Sequence, residues 1–298
     1  MGEPYPHCHL NGALLRLREA RISPLDRSFL FGDGVYEVIP VYAGRPFRFP
    51  EHCARLARSC GEIRLRDPHS RTEWAALCRE LLERNGLAAD GKVSPPDCYI
   101  YLQVSRGSEY GRNHAPLPDI TPTVFAFCAP WPERDAAVRS RGVACVTAID
   151  PRWQRCDIKS VALLPNVLLR DQAAQAGASE AILLRDGELT EGSSSTVHVV
   201  IGGELRTPPD SWRILPGTTR SVVEELLEAL GIPHQASAVS AAELRSAEEI
   251  WLASATRELD SVTTLDAQPV GRGVPGPLWH RVHAAFQTLK RRLEGQPW

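Results

Sequence analysis

Arg152-Trp153-Gln154-Arg155-Cys156-Asp157-Ile158-Lys159-Ser160 is the stretch on which the reading of this chain turns. It follows a strand-like run, VACVTAI (Val143–Ile149), and precedes an apolar one, VALLPNVLL (161–169). A lone lysine is ordinarily a solvated surface charge. Lys159 sits where apolar flanks can bury it, and a buried lysine has a depressed pKa and becomes a nucleophile toward carbonyls. Taken alone, the pattern still favours the surface.

Outward from this stretch the chain reads as α+β in two lobes. On the N-terminal side, an apolar run from Val35 to Val41 ending at Ala43-Gly44 predicts a strand and turn. After Pro50, Cys53, Leu56, Cys60 and Ile63 recur at helical spacing, and a second helix starts near Thr72 and stops at Asn85-Gly86. CYIYLQV (98–104) and TVFAFC (123–128) read as strands. The prolines and charges of Ala129-Pro130-Trp131-Pro132-Glu133-Arg134-Asp135 make it the linker candidate, so the lobes are expected at 1–131 and 132–298, the second carrying Lys159. Beyond it, Asp186-Gly187 and Gly202-Gly203 predict hairpin turns, and helices are expected at 166–178, 218–230 and 278–293.

Composition excludes several classes. The chain has 298 residues, 43% hydrophobic and 23% charged, an ordinary globular balance. A net charge of -2 provides no field to recruit nucleic acid or an anionic membrane. No apolar run approaches the roughly 18–20 residues that span a bilayer, and the first ten residues lack an apolar signal core. The expectation is a cytoplasmic protein without nucleic-acid or membrane partners. The eight cysteines form no C-x-x-C pair and read as buried free thiols; with the nine histidines they lack metal-site spacing, so no metal is expected.

Two further segments can carry chemistry. Leu215-Pro216-Gly217-Thr218-Thr219-Arg220 precedes an amphipathic helix, where unpaired first-turn amides and two threonine hydroxyls make an anion cradle. A plain threonine N-cap is the alternative reading. Thr190-Glu191-Gly192-Ser193-Ser194-Ser195 is either a polar loop or a place where a glutamate pairs with a buried cation.

Taken together with FGDGVYE (31–37) and EHCARL (51–56), these segments resemble the D-amino-acid and branched-chain aminotransferases, the fold-type IV enzymes of pyridoxal 5'-phosphate (PLP). Five motifs in order, covering nearly the whole chain, are specific where each alone is weak. The resemblance implies an α+β (α/β) protein with a smaller N-terminal lobe, a larger C-terminal pseudo-barrel lobe, and PLP between them in a homodimer. It makes Lys159 the lysine that holds the cofactor as a Schiff base and shuttles the substrate proton. It places Glu191 beside the pyridine nitrogen, where an anion keeps that nitrogen protonated. Arg55, Thr218, Thr219 and Thr256 correspond to phosphate ligands, Leu215 to an apolar residue on the ring, and Ser194 to a further cofactor contact.

Within that family the segment Arg106-Gly107-Ser108-Glu109-Tyr110-Gly111-Arg112-Asn113-His114 discriminates. In D-amino-acid aminotransferases a loop of this kind supplies an arginine and a histidine to the substrate carboxylate, joined by a tyrosine that here is Tyr36. Arg112 and His114 match, with one extra residue before Arg112. The implied reaction is transamination of D-amino acids such as D-alanine with 2-oxoglutarate or pyruvate, ping-pong through a pyridoxamine form. The alternatives are an (R)-selective amine transaminase or an aminodeoxychorismate lyase of the same fold, and a non-catalytic PLP-binding relative. Three departures bear on substrate range: Thr196 in place of the usual asparagine, His198 in place of an apolar or aromatic residue, and Pro40, expected to interrupt its strand near Tyr36.

Overall fold

The computed structural model describes residues 2–89, 94–131 and 140–292, and among these the chain forms two compact units. The first takes the chain up to 131 together with Ile158–Leu163; the second takes 140–157 and Leu164–Arg291. The expected lobe boundary falls at the edge of residues 132–139, which lie outside the described set with most of the linker candidate; its start, Ala129-Pro130, ends a strand.

The first unit is built on a six-stranded sheet: β1 (His7–Leu10), β2 (Ala13–Arg16), β3 (Gly34–Tyr42), β4 (Arg45–Pro46), β5 (Cys98–Ser105) and β6 (Thr123–Pro130). The order is β2-β1-β6-β5-β3-β4, and every strand pairing in it is antiparallel. Helices α2 (Phe49–Glu62) and α3 (Arg71–Arg84) bury Leu56, Cys60, Trp74, Leu77 and Leu81 in one core with Ile39, Ile100 and Leu102. Helix α3 begins in a capping box, with the Ser70 hydroxyl accepting from Glu73 N and the Glu73 carboxylate accepting from Ser70 N.

Pro40 does not interrupt β3, which runs unbroken from Gly34 to Tyr42 with Pro40 opposite Tyr99. Its carbonyl accepts from Phe47 N at 2.7 Å, on the side away from β5. In an antiparallel strand the N and C=O of one residue point the same way, so the missing N–H takes nothing from the β5 ladder.

The second unit holds a nine-stranded mixed sheet ordered β12-β11-β10-β13-β14-β7-β8-β9, with β15 on β14. Its strands are β7 (Val143–Ile149), β8 (Glu180–Arg185), β9 (Glu188–Gly192), β10 (Thr196–Ile201), β11 (Glu204–Thr207), β12 (His234–Ala236), β13 (Glu249–Ser254), β14 (Glu258–Leu265) and β15 (Gln268–Pro269). The two hairpins that the dipeptides predict are present, with φ positive at Asp186, Gly187, Gly202 and Gly203, as two-residue turns of this hand require. Helices α4 (Leu164–Gln175), α5 (Thr218–Ala229) and α7 (Pro277–Arg291) match the expected ones to within a few residues, and a short α6 (Ala241–Arg245) adds to them. Val223 and Leu227 of α5 and Trp279 and Val282 of α7 share a core with Val200, Leu205 and Trp251.

All eight cysteines are free and buried. Among the described residues no group of His, Cys, Asp or Glu could hold a metal ion, and no helix is long and apolar enough to cross a membrane.

Candidate active site

The hexapeptide Phe31–Tyr36 and its successor Glu37 place most of the first unit's chemistry. Helix α1 (Arg27–Phe31) ends at Gly32, left-handed at φ 70°, where a Cβ would press on Ala162 at 3.0 Å. Gly34 lets β3 approach β5, since a Cβ there would lie 2.9 Å from the Val104 carbonyl. The chain around Lys159 then lies along this segment: Tyr36 N donates to Lys159 O at 3.0 Å and Val161 N to Gly34 O at 3.0 Å. Ile158 enters the first unit's core. These bonds are why Lys159 groups with the first unit, whereas the sequence reading puts it with the second.

Lys159 is half-buried, and its Nζ lies 4.4 Å from the centroid of the Tyr36 ring. The apolar run expected to bury it does not: Leu164, Val167 and Leu168 are all more than half exposed on α4. Backbone bridging, with Lys159 N donating to Ser59 Oγ at 3.3 Å, fixes the lysine instead.

Arg55 on α2 is buried and gripped by Glu37, Nε to Oε1 at 2.7 Å and Nη2 to Oε2 at 2.8 Å. His52 Nδ1 lies 2.7 Å from Glu37 Oε2. Burial raises the Glu37 pKa, but the Arg55 charge and hydrogen bonds, with those of His52, outweigh it and hold the carboxylate well below its usual range. His52 is held below its ordinary value, chiefly by burial and against the pull of Glu37.

Arg112 and His114 lie in an exposed loop and meet on one ring. The Arg112 guanidinium is 5.1 Å from the Phe31 centroid, and the His114 ring 5.4 Å from it. No contact between either residue and Tyr36 occurs among the described residues; Tyr36 stacks on Tyr101 at 5.6 Å.

In the second unit Glu191, on β9, is buried against Arg152, whose Nη1 donates to Glu191 Oε1, while Leu215 N donates to Oε2 at 3.2 Å. Of the two readings of TEGSSS, the buried-cation reading fits, with Arg152 as the cation. Burial raises the Glu191 pKa, and Arg152 and the Leu215 N–H do not fully offset it. Asp150 holds the other edge of Arg152 through Nε at 2.9 Å and Nη2 at 2.9 Å. Cys156 is a buried thiol with its pKa raised by burial, its Sγ on the Trp153 carbonyl at 3.2 Å.

The three serines do not surround Glu191. They converge on Glu180 Oε1, which accepts from Ser194 N at 2.6 Å, Ser195 Oγ at 3.0 Å, Ser194 Oγ at 3.1 Å and Ser193 Oγ at 3.3 Å. Glu180 Oε2 faces Arg257 Nη2 at 2.7 Å, and Arg257 is the neighbour of Thr256. Sequence reasoning missed both Glu180 and Arg257: each is a buried charge whose role depends on partners distant in sequence.

Helix α5 starts without a threonine cap. Gly217 is its N-cap, with no side-chain hydrogen bond, so Thr218 and Thr219 are its first two residues. A Cβ at Gly217 would lie 2.7 Å from Thr196 Oγ1, so a larger residue there would have to displace that hydroxyl. A first turn with no side-chain cap, and hydroxyls at its start, suits a phosphate. His198 does not join this group. It is fully buried, with Nδ1 2.5 Å from Thr207 Oγ1 and no partner on Nε2 among the described residues.

Comparison with known proteins identifies the family. The amino-transferase class IV model matches residues 34–265. The D-alanine aminotransferase of Bacillus licheniformis is 41% identical over 280 residues, covering 93% of this chain and 95% of that one. The branched-chain amino acid aminotransferase of Escherichia coli superposes with a TM-score of 0.87 at 26% identity, covering 96% of this chain and 94% of its own. A second branched-chain amino acid aminotransferase (T.th.), solved with pyridoxamine 5'-phosphate, gives 0.86 at 25% identity with the same coverage. The fold is fold-type IV and the cofactor is PLP. The chain is an aminotransferase and belongs to the amino-transferase class IV family.

Proposed function

We propose that this enzyme transfers the amino group of D-amino acids, D-alanine among them, to 2-oxoacids such as 2-oxoglutarate or pyruvate. The observation that carries the reading is the Arg112–His114 pair on Phe31. Among the described residues Arg112 has no carboxylate partner, so its charge is available to a substrate carboxylate. The 41% identity to a D-alanine aminotransferase over 93% of the chain supports the same substrate class.

The residues divide the work. PLP, when bound, supplies the electron sink that makes the substrate α-proton acidic. Lys159 holds the cofactor and moves that proton at Nζ. Glu191 is assigned to the pyridine nitrogen, where a carboxyl of raised proton affinity shares a proton readily. Arg55, kept charged and oriented by Glu37, is assigned to the phosphate; so are Thr218, Thr219 and Thr256, while Leu215 and Ser194 contact the cofactor. Arg112, His114 and Tyr36 fix the substrate carboxylate. With the carboxylate held there, the α-hydrogen of a D-substrate is the one presented to Lys159. The kinetics are ping-pong.

We further read the protein as a cytoplasmic homodimer. The exposed Leu164, Val167 and Leu168 on α4, and Phe29 on α1, are apolar faces that suit a second copy, and eight free thiols suit a reducing compartment.

The test is the visible band of the purified holoenzyme, titrated separately with D-alanine, L-alanine and an (R)-amine. Bleaching by D-alanine alone supports the reading. Bleaching mainly by the (R)-amine overturns it in favour of amine transamination.

A further inference from the structure

Arg27 lies outside every motif that carries the family resemblance, yet it is 3% exposed and all three of its guanidinium nitrogens are hydrogen-bonded. Its Nε donates to Asp33 Oδ2 at 2.8 Å. Its Nη1 donates to the Glu109 carboxylate and to Asn113 O at 2.7 Å, and its Nη2 to His114 O at 2.9 Å. One rigid fork therefore holds two consecutive carbonyls of the loop that presents Arg112 and His114. Its guanidinium also lies 4.8 Å from the centroid of Phe31, the ring on which those two side chains meet.

Glu109 completes the hold. Its Oε2 accepts from Leu117 N at 3.0 Å. Residues 109 to 117 are thus closed at both ends by one buried carboxylate and pinned in the middle by Arg27. The charges balance locally. Arg106 shares Asp33, through Nε at 2.8 Å and Nη2 at 3.0 Å, so two guanidiniums meet two carboxylates. Against burial, which raises it, these hydrogen bonds hold Asp33 below its usual range. Neither carboxylate is left over to neutralise Arg112.

We propose that Arg27, locked by Glu109, is a positioning residue that presets the Arg112–His114 pair and so sets the enzyme's selection of carboxylate-bearing amines. This rests on the carboxylate role proposed above for those two residues. An exposed loop that had to order itself around each substrate would spend binding free energy on its own entropy. A loop held by its backbone keeps that free energy for the carboxylate.

The experiment uses the holoenzyme variants R27K, E109Q and R112A and the double variant E109Q/R112A, assayed with D-alanine, with cofactor affinity from the visible band. E109Q keeps the shape of the anchor if R27K does not fold. The expected result for E109Q is a KM for D-alanine raised on the order of tenfold, with kcat and cofactor affinity within twofold. In the double variant, the rise in KM falls short of the product of the two single effects, because both substitutions act on one carboxylate grip. Independent, multiplying effects in the double variant, or parallel losses of kcat and cofactor affinity in E109Q, would mean general destabilisation and overturn the inference. An R112A enzyme with unchanged KM overturns the carboxylate role itself; unchanged KM in E109Q beside a raised KM in R112A overturns only the role of Arg27 and Glu109.

Discussion

Arg55 and Glu37 face each other edge to edge, Nε to Oε1 at 2.7 Å and Nη2 to Oε2 at 2.8 Å, with both side chains out of solvent. Two parallel bonds leave the guanidinium no rotational freedom, so α2 presents Arg55 in one orientation. His52 on the same carboxylate makes Glu37 the link between Arg55 and His52.

Replacing Glu37 by Gln is therefore expected to cost about 3 kcal/mol, because the Arg55 charge stays buried without its counter-ion. The sign of the pH dependence follows from the depressed Glu37 pKa. Its contribution is complete above the unfolded carboxyl value and is lost as pH falls through the lower folded one. The gap between wild type and E37Q should close progressively below about pH 4.3. Urea unfolding at pH 7 and in the acid range measures it; a gap independent of pH contradicts an ionised Glu37.

His198 gives the same sign of pH dependence as Glu37, but from a group whose neutral form is the folded one. It is buried beside Thr207, and burial, reinforced by the nearby Arg220 charge, pushes its pKa down to about 3. The neutral form is the folded form. Its stabilising effect is full above the unfolded value, roughly 6.5, and falls as pH drops toward about 3. His198→Asn keeps a polar atom facing Thr207 and removes the titration. Wild type should lose stability relative to H198N between pH 6.5 and about 3, while kcat/KM at pH 8 stays within about twofold. A large drop in kcat/KM would return His198 to the active site, where its nearness to the cofactor motif in sequence suggests it belongs.

The burial of His198 marks what the sequence can and cannot convey. The family is legible because Lys159, Glu191, Arg55 and Thr218-Thr219 each sit in a local pattern, and the patterns fall in one order along the chain. The hairpins at Asp186-Gly187 and Gly202-Gly203 are legible because positive φ at two successive residues leaves few choices. What a residue meets along one face of a strand is less so. His198 and Thr196 lie two apart on β10 and so share a face, yet Thr196 meets Gly217 and His198 meets Thr207. Pro40 reads as a break because one sequence does not show which way its missing N–H points. Glu180, Arg257 and Arg27 are invisible because an isolated charge in a sequence looks the same whether it ends in solvent or in a buried network.

Glu180 gives the third prediction. Its two oxygens do different work: Oε1 gathers Ser193, Ser194 and Ser195, and Oε2 faces Arg257 at 2.7 Å. A glutamine must turn its NH2 toward one set or the other, and both sets are donors. E180Q should cost roughly 3–5 kcal/mol and lower the melting temperature by about 6–20 °C for a unit of this size. Because Ser194 and Thr256 flank the disrupted groups, cofactor affinity should fall on the order of tenfold as well. Differential scanning fluorimetry and a cofactor titration check both; an unchanged melting temperature would show that the serine loop does not depend on this carboxylate.

The last prediction concerns how α7 is held. Glu249 is a buried carboxylate at the edge of β13 whose oxygens accept from Leu278 N at 3.0 Å, Trp279 N at 2.9 Å and Trp251 Nε1 at 2.9 Å. Two of those donors are first-turn amides of α7, which a helix cannot satisfy by itself, and the negative charge also faces the positive end of the helix dipole. Gly276 leaves room for this, since a Cβ there would fall inside the Glu249 carboxyl. Gly276→Ala should therefore push Glu249 off the helix start and destabilise the protein by about 2 kcal/mol or more. Glu249→Gln, which keeps one acceptor and the shape, should cost less, about 1 kcal/mol. The order of the two effects is the decisive reading. If G276A is the milder variant by urea unfolding, the glycine is not there to admit the carboxylate.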